Sequence, residues 1–270
     1  MSALLLSLAS GLSPASVEHR VGGHVILVNT AFGFEYPRPT QPFMHLTGPM
    51  IPMTNQVIHQ SRQQVHESYA AELSEADRVW LESDARPVVF VSMGTVAPLN
   101  VQQIVQLFEA FNQLSQYRIL WKLPVSSHSH LPATPNPHVH ITPWVSSQLA
   151  ILSHPNTQLF VSHCGINSIH ESVYVRTRIL CIPIFADQAD MGQRVVDSGV
   201  GMMLDKTTFN SSQVIHAFTS MIGNVSYESA LRRGQASLAL SGGVARAADL
   251  IEHVAIFGDS HWLTPDLNFP

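Results

Sequence analysis

Charge is scarce in this sequence: only 12% of the 270 residues are Asp, Glu, Lys or Arg, and the net charge is −5. No basic cluster stands out among the 14 Lys and Arg, which removes the electrostatic footprint of a nucleic-acid binder. So few cations also give little attraction for an anionic membrane surface. No apolar run reaches the roughly 18 residues that a membrane-spanning helix needs. The opening MSALLLSLASGL is apolar but has no basic lead, so it reads as a fragment of an amphipathic helix and not as a signal peptide. A cytoplasmic or membrane-associated location is the expectation. Cysteine is nearly absent, and Cys164 and Cys181 each lie beside an apolar run; two reduced, buried thiols are expected, in preference to a disulfide or a metal pair. Neither GxGxxG nor GxxxxGK(S/T) occurs, which leaves nicotinamide-dinucleotide and P-loop readings without their main support.

What is present is apolar and alternating. Hydrophobic residues make up 45% of the chain, enough for a sizeable core and too much for a disordered segment. Strands are expected at His24–Asn29, Val88–Met93, Arg118–Lys122, Val139–Thr142, Gln158–Ser162, Ile179–Ile182 and Gly201–Leu204. Helices are expected at Ala70–Glu82, Val101–Leu114, Gln148–Leu152, Ser168–Val175, Ala189–Ser198, Ser211–Gly223, Tyr227–Leu240 and Val244–Phe257. VVFVSM and TQLFVS are short, β-branched and almost continuously apolar, as strands buried on both faces are. Strands alternating with helices of this length imply right-handed βαβ units and a doubly wound parallel α/β sheet, Rossmann-like. The proline-rich stretch from Tyr36 to Pro52 reads as a linker. The expected division is residues 1–50 as a domain remnant plus linker, 51–257 as the main α/β domain and 258–270 as a tail.

In an open parallel sheet, ligands bind beyond the carboxyl ends of the strands. Three segments there combine small and polar residues: SMGTVAPLN (92–100), VSHCGINS (161–168) and IPIFADQAD (182–190). Gly94-Thr95 can bring backbone N–H groups up to a phosphate, though a tight turn alone would use the same pair. Ser168 and Glu171 have the S-x-x-E spacing of a capping box. That device leaves His163, Gly165 and Asn167 unexplained, and a helix N-terminus carrying such groups suits a diphosphate. Asp187-Gln188 pairs an acceptor with a donor–acceptor amide, the chemistry that sugar hydroxyls require; capping of the next helix is the plain alternative. The histidines at 128, 130, 138 and 140 lack a third ligand at zinc spacing, and Trp80, Trp121 and Trp262 read as packing residues.

Taken together, the residues from 144 to 188, WVSSQLAILSHPNTQLFVSHCGINSIHESVYVRTRILCIPIFADQ, resemble the signature box of the family-1 UDP-glycosyltransferases. LVNTAFGFEYPRP, LTGP and GGVARAADLIEHV extend the resemblance over roughly residues 20–265. It implies the C-terminal, donor-binding half of a GT-B fold. Trp144 would stack on uracil, and Gln148 would bond the base or ribose. Thr95, His163, Gly165, Asn167 and Ser168 would hold the diphosphate, Glu171 the ribose, and Asp187 and Gln188 the hexose. The implied reaction is inverting transfer of a hexosyl group, glucosyl or glucuronosyl, from a UDP-sugar to a small lipophilic acceptor. No D-x-D pair is present, in keeping with a site that needs no metal and no cofactor beyond the donor.

The sequence departs from the family pattern in four places. One residue is inserted between Trp144 and Gln148. Arg176-Thr177-Arg178 replaces Gly-x-Pro, which alters that loop or leaves two surface arginines. Met191 stands where asparagine is expected. The domain that holds the family's histidine base and acceptor pocket is expected to precede the linker, and neither His19 nor His24 is assigned that role. A donor-binding chain that is catalytically silent without a separate acceptor-domain partner is therefore the alternative to a self-sufficient enzyme.

Overall fold

The computed structural model describes residues 25–41, 43–52, 55–95 and 98–257. The apolar N-terminal stretch, His19, His24 and Trp262 lie outside them. The chain divides into two compact units, Met1–Met53 with Leu240–Pro270, and Thr54–Ala239.

In the first unit, β1 (Ile26–Val28) pairs in parallel with β2 (Met44–Leu46). The strand β2 lies inside the proline-rich stretch expected to be linker; three residues free of proline, MHL, suffice to pair. The unit's C-terminal helix spans Gly243–Phe257, and the N–H of Gly243 donates to the Thr47 carbonyl at 2.6 Å.

The second unit holds a six-stranded sheet of β3 (Val88–Ser92), β4 (Arg118–Lys122), β5 (Val139–Thr142), β6 (Thr157–Ser162), β7 (Arg178–Cys181) and β8 (Gly201–Met203). Their order is β5-β4-β3-β6-β7-β8, and every pairing is parallel. All five residues of β3 are buried, as a central strand covered on both faces must be. The helices of this unit are α1 (Arg62–Glu67), α2 (Glu75–Glu82), α3 (Val101–Gln113), α4 (Gln148–Ser153), α5 (Ile166–Tyr174), α6 (Gln188–Asp197), α7 (Ser211–Met221) and α8 (Ser226–Leu240). One core cluster joins Val89, Val91, Trp121 and Val161 of the sheet to Leu107 and Phe111 of α3 and to Val214 and Phe218 of α7.

The stretch expected as one helix over 70–82 is instead a 3-10 turn, Ala70–Glu72, followed by α2. Ser74 causes the break: its hydroxyl accepts the Asp77 N–H and so starts a new helix. Helix α1 was not anticipated, although Ser61 and Gln64 form a capping box at its start. The Arg176–Arg178 turn is neither surface charge nor a phosphate contact. Arg176 is buried in the left-handed region at φ 60° and donates to the Gln60 carbonyl at 3.0 Å. Arg178 reaches the Asn224 carbonyl at 3.2 Å. Both stand at the start of β7, the end of the sheet away from the loops that follow the strands.

Candidate functional site

The chain enters this sheet at β3, in its middle. From there β4 and β5 build outward on one side and β6, β7 and β8 on the other. Loops leaving β3 and β6 therefore diverge, and a crevice opens at the carboxyl ends of the strands where the winding reverses. The register sets those ends level: Ser92 lies opposite both Lys122 and Ser162, and Ser162 lies opposite Cys181. A cavity of about 420 Å³ occupies this place, lined by Thr95, Gln148, His163, Gly165, Asn167, Ser168, Asp187 and Gln188, together with Lys122 and Phe185. That volume is within the usual range for a small-molecule site. Eight of the ten residues singled out in the sequence thus meet here.

Glycine makes room for the histidine. A Cβ at Gly94 would lie 2.9 Å from Nε2 of His163, and one at Gly165 would lie 2.7 Å away. The imidazole is slotted between two residues with no side chain, and Gly94 also has the φ of +78° that glycine tolerates. Burial lowers the pKa of His163, with Lys122 adding to the effect and Asp187 and the Ser92 backbone opposing it. The lowered pKa favours the neutral ring, which carries one N–H and one acceptor nitrogen.

Helix α5 opens at Ile166, with Gly165 as its N-cap and no side chain capping it. This corrects the expected capping box. Because the helix begins two residues before Ser168, that residue and Glu171 fall inside it, too late to cap its end. The Gln148 side chain takes them up instead, donating from Nε2 to Ser168 Oγ at 3.1 Å and to Glu171 Oε2 at 2.7 Å. Both Nε2 hydrogens are thereby used, so Gln148 offers a ligand its amide oxygen. Burial raises the pKa of Glu171, the Gln148 bond opposes that rise, and Glu72 adds to it. Glu171 is not itself part of the cavity lining and connects to it through Gln148.

Asp187 is the N-cap residue of α6 but makes no side-chain cap bond, so the capping alternative does not occupy its carboxylate. Gln188 is buried, and its Oε1 accepts the N–H groups of Ile184 at 2.8 Å and Phe185 at 3.1 Å. What it retains for a ligand is its amide N–H₂.

Trp144 stands outside the cavity lining. Its side chain is 66% exposed, and the Thr142 hydroxyl donates to its carbonyl at 2.7 Å. One residue links it to the crevice: the Lys122 ammonium lies 4.3 Å from the Trp144 ring centroid, a cation–π contact. Among the described residues Lys122 is the only Lys or Arg in the cavity lining, and burial lowers its pKa. In the sequence Lys122 is only the last residue of an expected strand. Its place level with Ser92 depends on the β3–β4 register, which the sequence does not display.

His138, His140, Trp80 and Trp121 have packing or hydrogen-bond partners in the fold. His138 Nε2 bonds the Phe111 carbonyl at 2.8 Å, and His140 packs on Trp80, over which the Arg118 guanidinium also lies. Trp121 is fully buried against Phe111. Among the described residues no three His, Cys, Asp or Glu side chains gather as a metal ion would require.

The expectation of two free thiols is overturned. Cys164 and Cys181 form a disulfide with Cα atoms 5.4 Å apart. Parallel pairing of β6 with β7 brings the two cysteines together although they stand 17 positions apart, a proximity that spacing alone did not reveal.

A family profile described as "UDP-glucoronosyl and UDP-glucosyl transferase" matches residues 12–235. Among curated proteins, UDP-glycosyltransferase 1 of Phaeomoniella chlamydospora is 30% identical over 241 residues, covering 86% of this chain and 45% of that protein. Among solved structures, the glycotransferase of kitacinnamycin superposes with a TM-score of 0.68 at 20% identity, over 88% of this chain and 55% of that one. A UDP-glucose: anthocyanidin 3-O-glucosyltransferase in complex with UDP superposes at 0.60 and 22% identity, over 87% and 53%. The chain spans about half the length of these proteins, and the shared architecture is the Rossmann-like parallel sheet of a GT-B glycosyltransferase.

Proposed function

The chain belongs to the UDP-glycosyltransferase family, and on that premise we propose that its parallel-sheet unit binds a UDP-sugar for inverting transfer of a glucosyl or glucuronosyl group to a hydroxyl of a small lipophilic acceptor. One arrangement carries this reading. The uncapped N-terminus of α5 and a histidine held between two glycines line the same crevice, at the sheet's switch point. The dipole of that helix and the backbone N–H groups of its first turn favour an anion there, and His163 adds a donor. As the glycosidic bond breaks, charge grows on the departing UDP, and donors fixed beforehand stabilise it without reorganising.

The other roles follow from what each side chain has left to offer. Asp187 accepts and Gln188 donates to hexose hydroxyls. The amide oxygen of Gln148 accepts from the base or ribose, with Ser168 and Glu171 holding that amide in place. Trp144 supplies the face on which uracil stacks, braced by Lys122.

Calorimetric titration with UDP tests the reading. Trp144→Ala and His163→Ala are expected to weaken UDP binding while His138→Ala, remote from the crevice, leaves it unchanged. Equal losses in all three would report global stability and sink the assignment. A parallel assay of UDP-sugar consumption by the chain decides the rest: UDP binding without transfer or hydrolysis would replace the self-sufficient enzyme by a donor-binding unit served by a separate acceptor-domain partner.

A further inference from the structure

The Cys164–Cys181 bond ties together two of the loops that build the crevice. Cys164 lies between His163 and Gly165, both in the cavity lining, and Cys181 ends β7, whose following loop carries Phe185, Asp187 and Gln188. Both cysteines are fully buried. Cys164 also holds a left-handed backbone at φ 61°, a region that residues with a side chain rarely adopt. Its N–H donates to Ser162 Oγ at 3.0 Å, so the cross-link and one hydrogen bond together fix the turn that presents His163.

Bonded sulfurs sit about 2 Å apart, whereas non-bonded heavy atoms need roughly 3.5–4 Å. Reduction would require the two sulfurs to separate at a site with no exposed surface. The turn at Cys164 would have to move, and His163 and Gly165 would move with it. We propose that Cys164–Cys181 is a redox-modification site that positions the diphosphate-binding turn, so that the oxidised chain binds the donor more tightly than the reduced one. This rests on the donor reading above. In the reducing step, a local opening first exposes the buried bond, and a dithiol's thiolate then attacks one sulfur to give a mixed disulfide. The dithiol's second thiol then displaces that cysteine. The dithiol leaves as its own disulfide, having supplied two electrons and two protons, and the chain gains two thiols.

Coupling of this kind is reciprocal: if the bond raises UDP affinity, UDP raises the chain's resistance to reduction by the same factor. The test takes the full chain through dithiothreitol redox buffers with and without saturating UDP, counting thiols under denaturing conditions, and measures UDP affinity by calorimetry on the oxidised and reduced chains. The expected results are zero thiols before reduction and two after, UDP affinity about 5- to 50-fold weaker in the reduced chain, and a redox midpoint displaced by a matching factor when UDP is present. Uridine, which lacks the phosphates, should discriminate little between the two states. The UDP affinity of Cys181→Ala, which has no bond to reduce, should ignore the dithiol. Equal UDP affinity in both states, a midpoint that UDP does not move, or two free thiols in the chain as isolated under air would each overturn the proposal while leaving the donor reading intact. Failure of the oxidised chain to bind UDP at all would overturn both. The midpoint measurement starts from the native oxidised chain, so it decides the matter even if Cys181→Ala does not fold.

Discussion

A methyl group at residue 165 would lie 2.7 Å from Nε2 of His163, inside any tolerable contact, and the backbone there is in an ordinary extended conformation that alanine can adopt. Gly165→Ala therefore tests the imidazole's position and nothing else in the turn. If His163 donates to a phosphate, losing that bond to a charged group removes about 1.5–3 kcal/mol, roughly 10- to 100-fold in UDP dissociation constant. Gly165→Ala should match His163→Ala, and combining the two should cost no more than either alone. Calorimetry giving wild-type affinity for Gly165→Ala would mean that the slot has no bearing on binding. Lys122 calls for a different comparison, because it could act by holding Trp144 or by facing the phosphates. Lys122→Met should weaken UDP about tenfold while leaving uridine nearly unchanged, and the loss should shrink at high salt, where screening weakens charge pairs. Equal losses for UDP and uridine would restrict the lysine to a brace behind the tryptophan.

Apart from β2 and the stretch 70–82, the strands and long helices were legible because each carries its own periodic signal, and their boundaries moved by only a residue or two. Arg118–Lys122 and Val139–Thr142 were read from sequence with the limits they have in the fold. What escaped was decided by neighbours distant in the chain. The S-x-x-E spacing at Ser168 suggested a cap, but helix α5 starts earlier and Gln148, twenty residues upstream, claims the serine. The disulfide needed the β6–β7 pairing, and the role of Lys122 needed the β3–β4 register. Crowding between strands is equally invisible in the chain. A Cβ at Gly201 would lie 2.0 Å from the Ile179 carbonyl oxygen of the adjoining strand β7 and 2.7 Å from Val195 Cγ1. Gly201→Ala should therefore push β8 off the sheet edge, costing about 2–4 kcal/mol in urea unfolding. Because β8 contributes nothing to the cavity lining, UDP affinity of the folded variant should stay unchanged; a parallel fall in affinity would mean that edge and crevice are coupled.

The parallel-sheet unit separates its two polar ends by chemistry. Donors for a ligand collect where the strands finish, while a buried belt of arginine and histidine secures where they begin. There the Arg62 guanidinium donates to the Thr157 carbonyl at 2.7 Å and to Thr177 Oγ1 at 3.1 Å, and the His66 and His154 rings meet edge to face at 4.8 Å. His154 is held to a pKa of about 4, chiefly by burial and then by His66, Arg62 and Arg118, and its Nδ1 accepts the Asn156 N–H at 3.2 Å. Protonation would abolish that acceptor. His170, fully buried in α5, is likewise lowered to about 4 by burial. Unfolding restores both to their ordinary value near 6.5, so between those pH values the unfolded chain binds more protons than the folded one. The stability these groups support is complete above about pH 6.5 and is lost as pH falls toward 4, by at most on the order of 3 kcal/mol for each. Urea midpoints should accordingly drop steeply across that window and level out above it. His154→Asn keeps an acceptor for the Asn156 N–H without a group that titrates, and should flatten the acid limb. The same acid slope in His154→Asn as in the wild type would show that the histidine belt does not set the acid sensitivity of the fold.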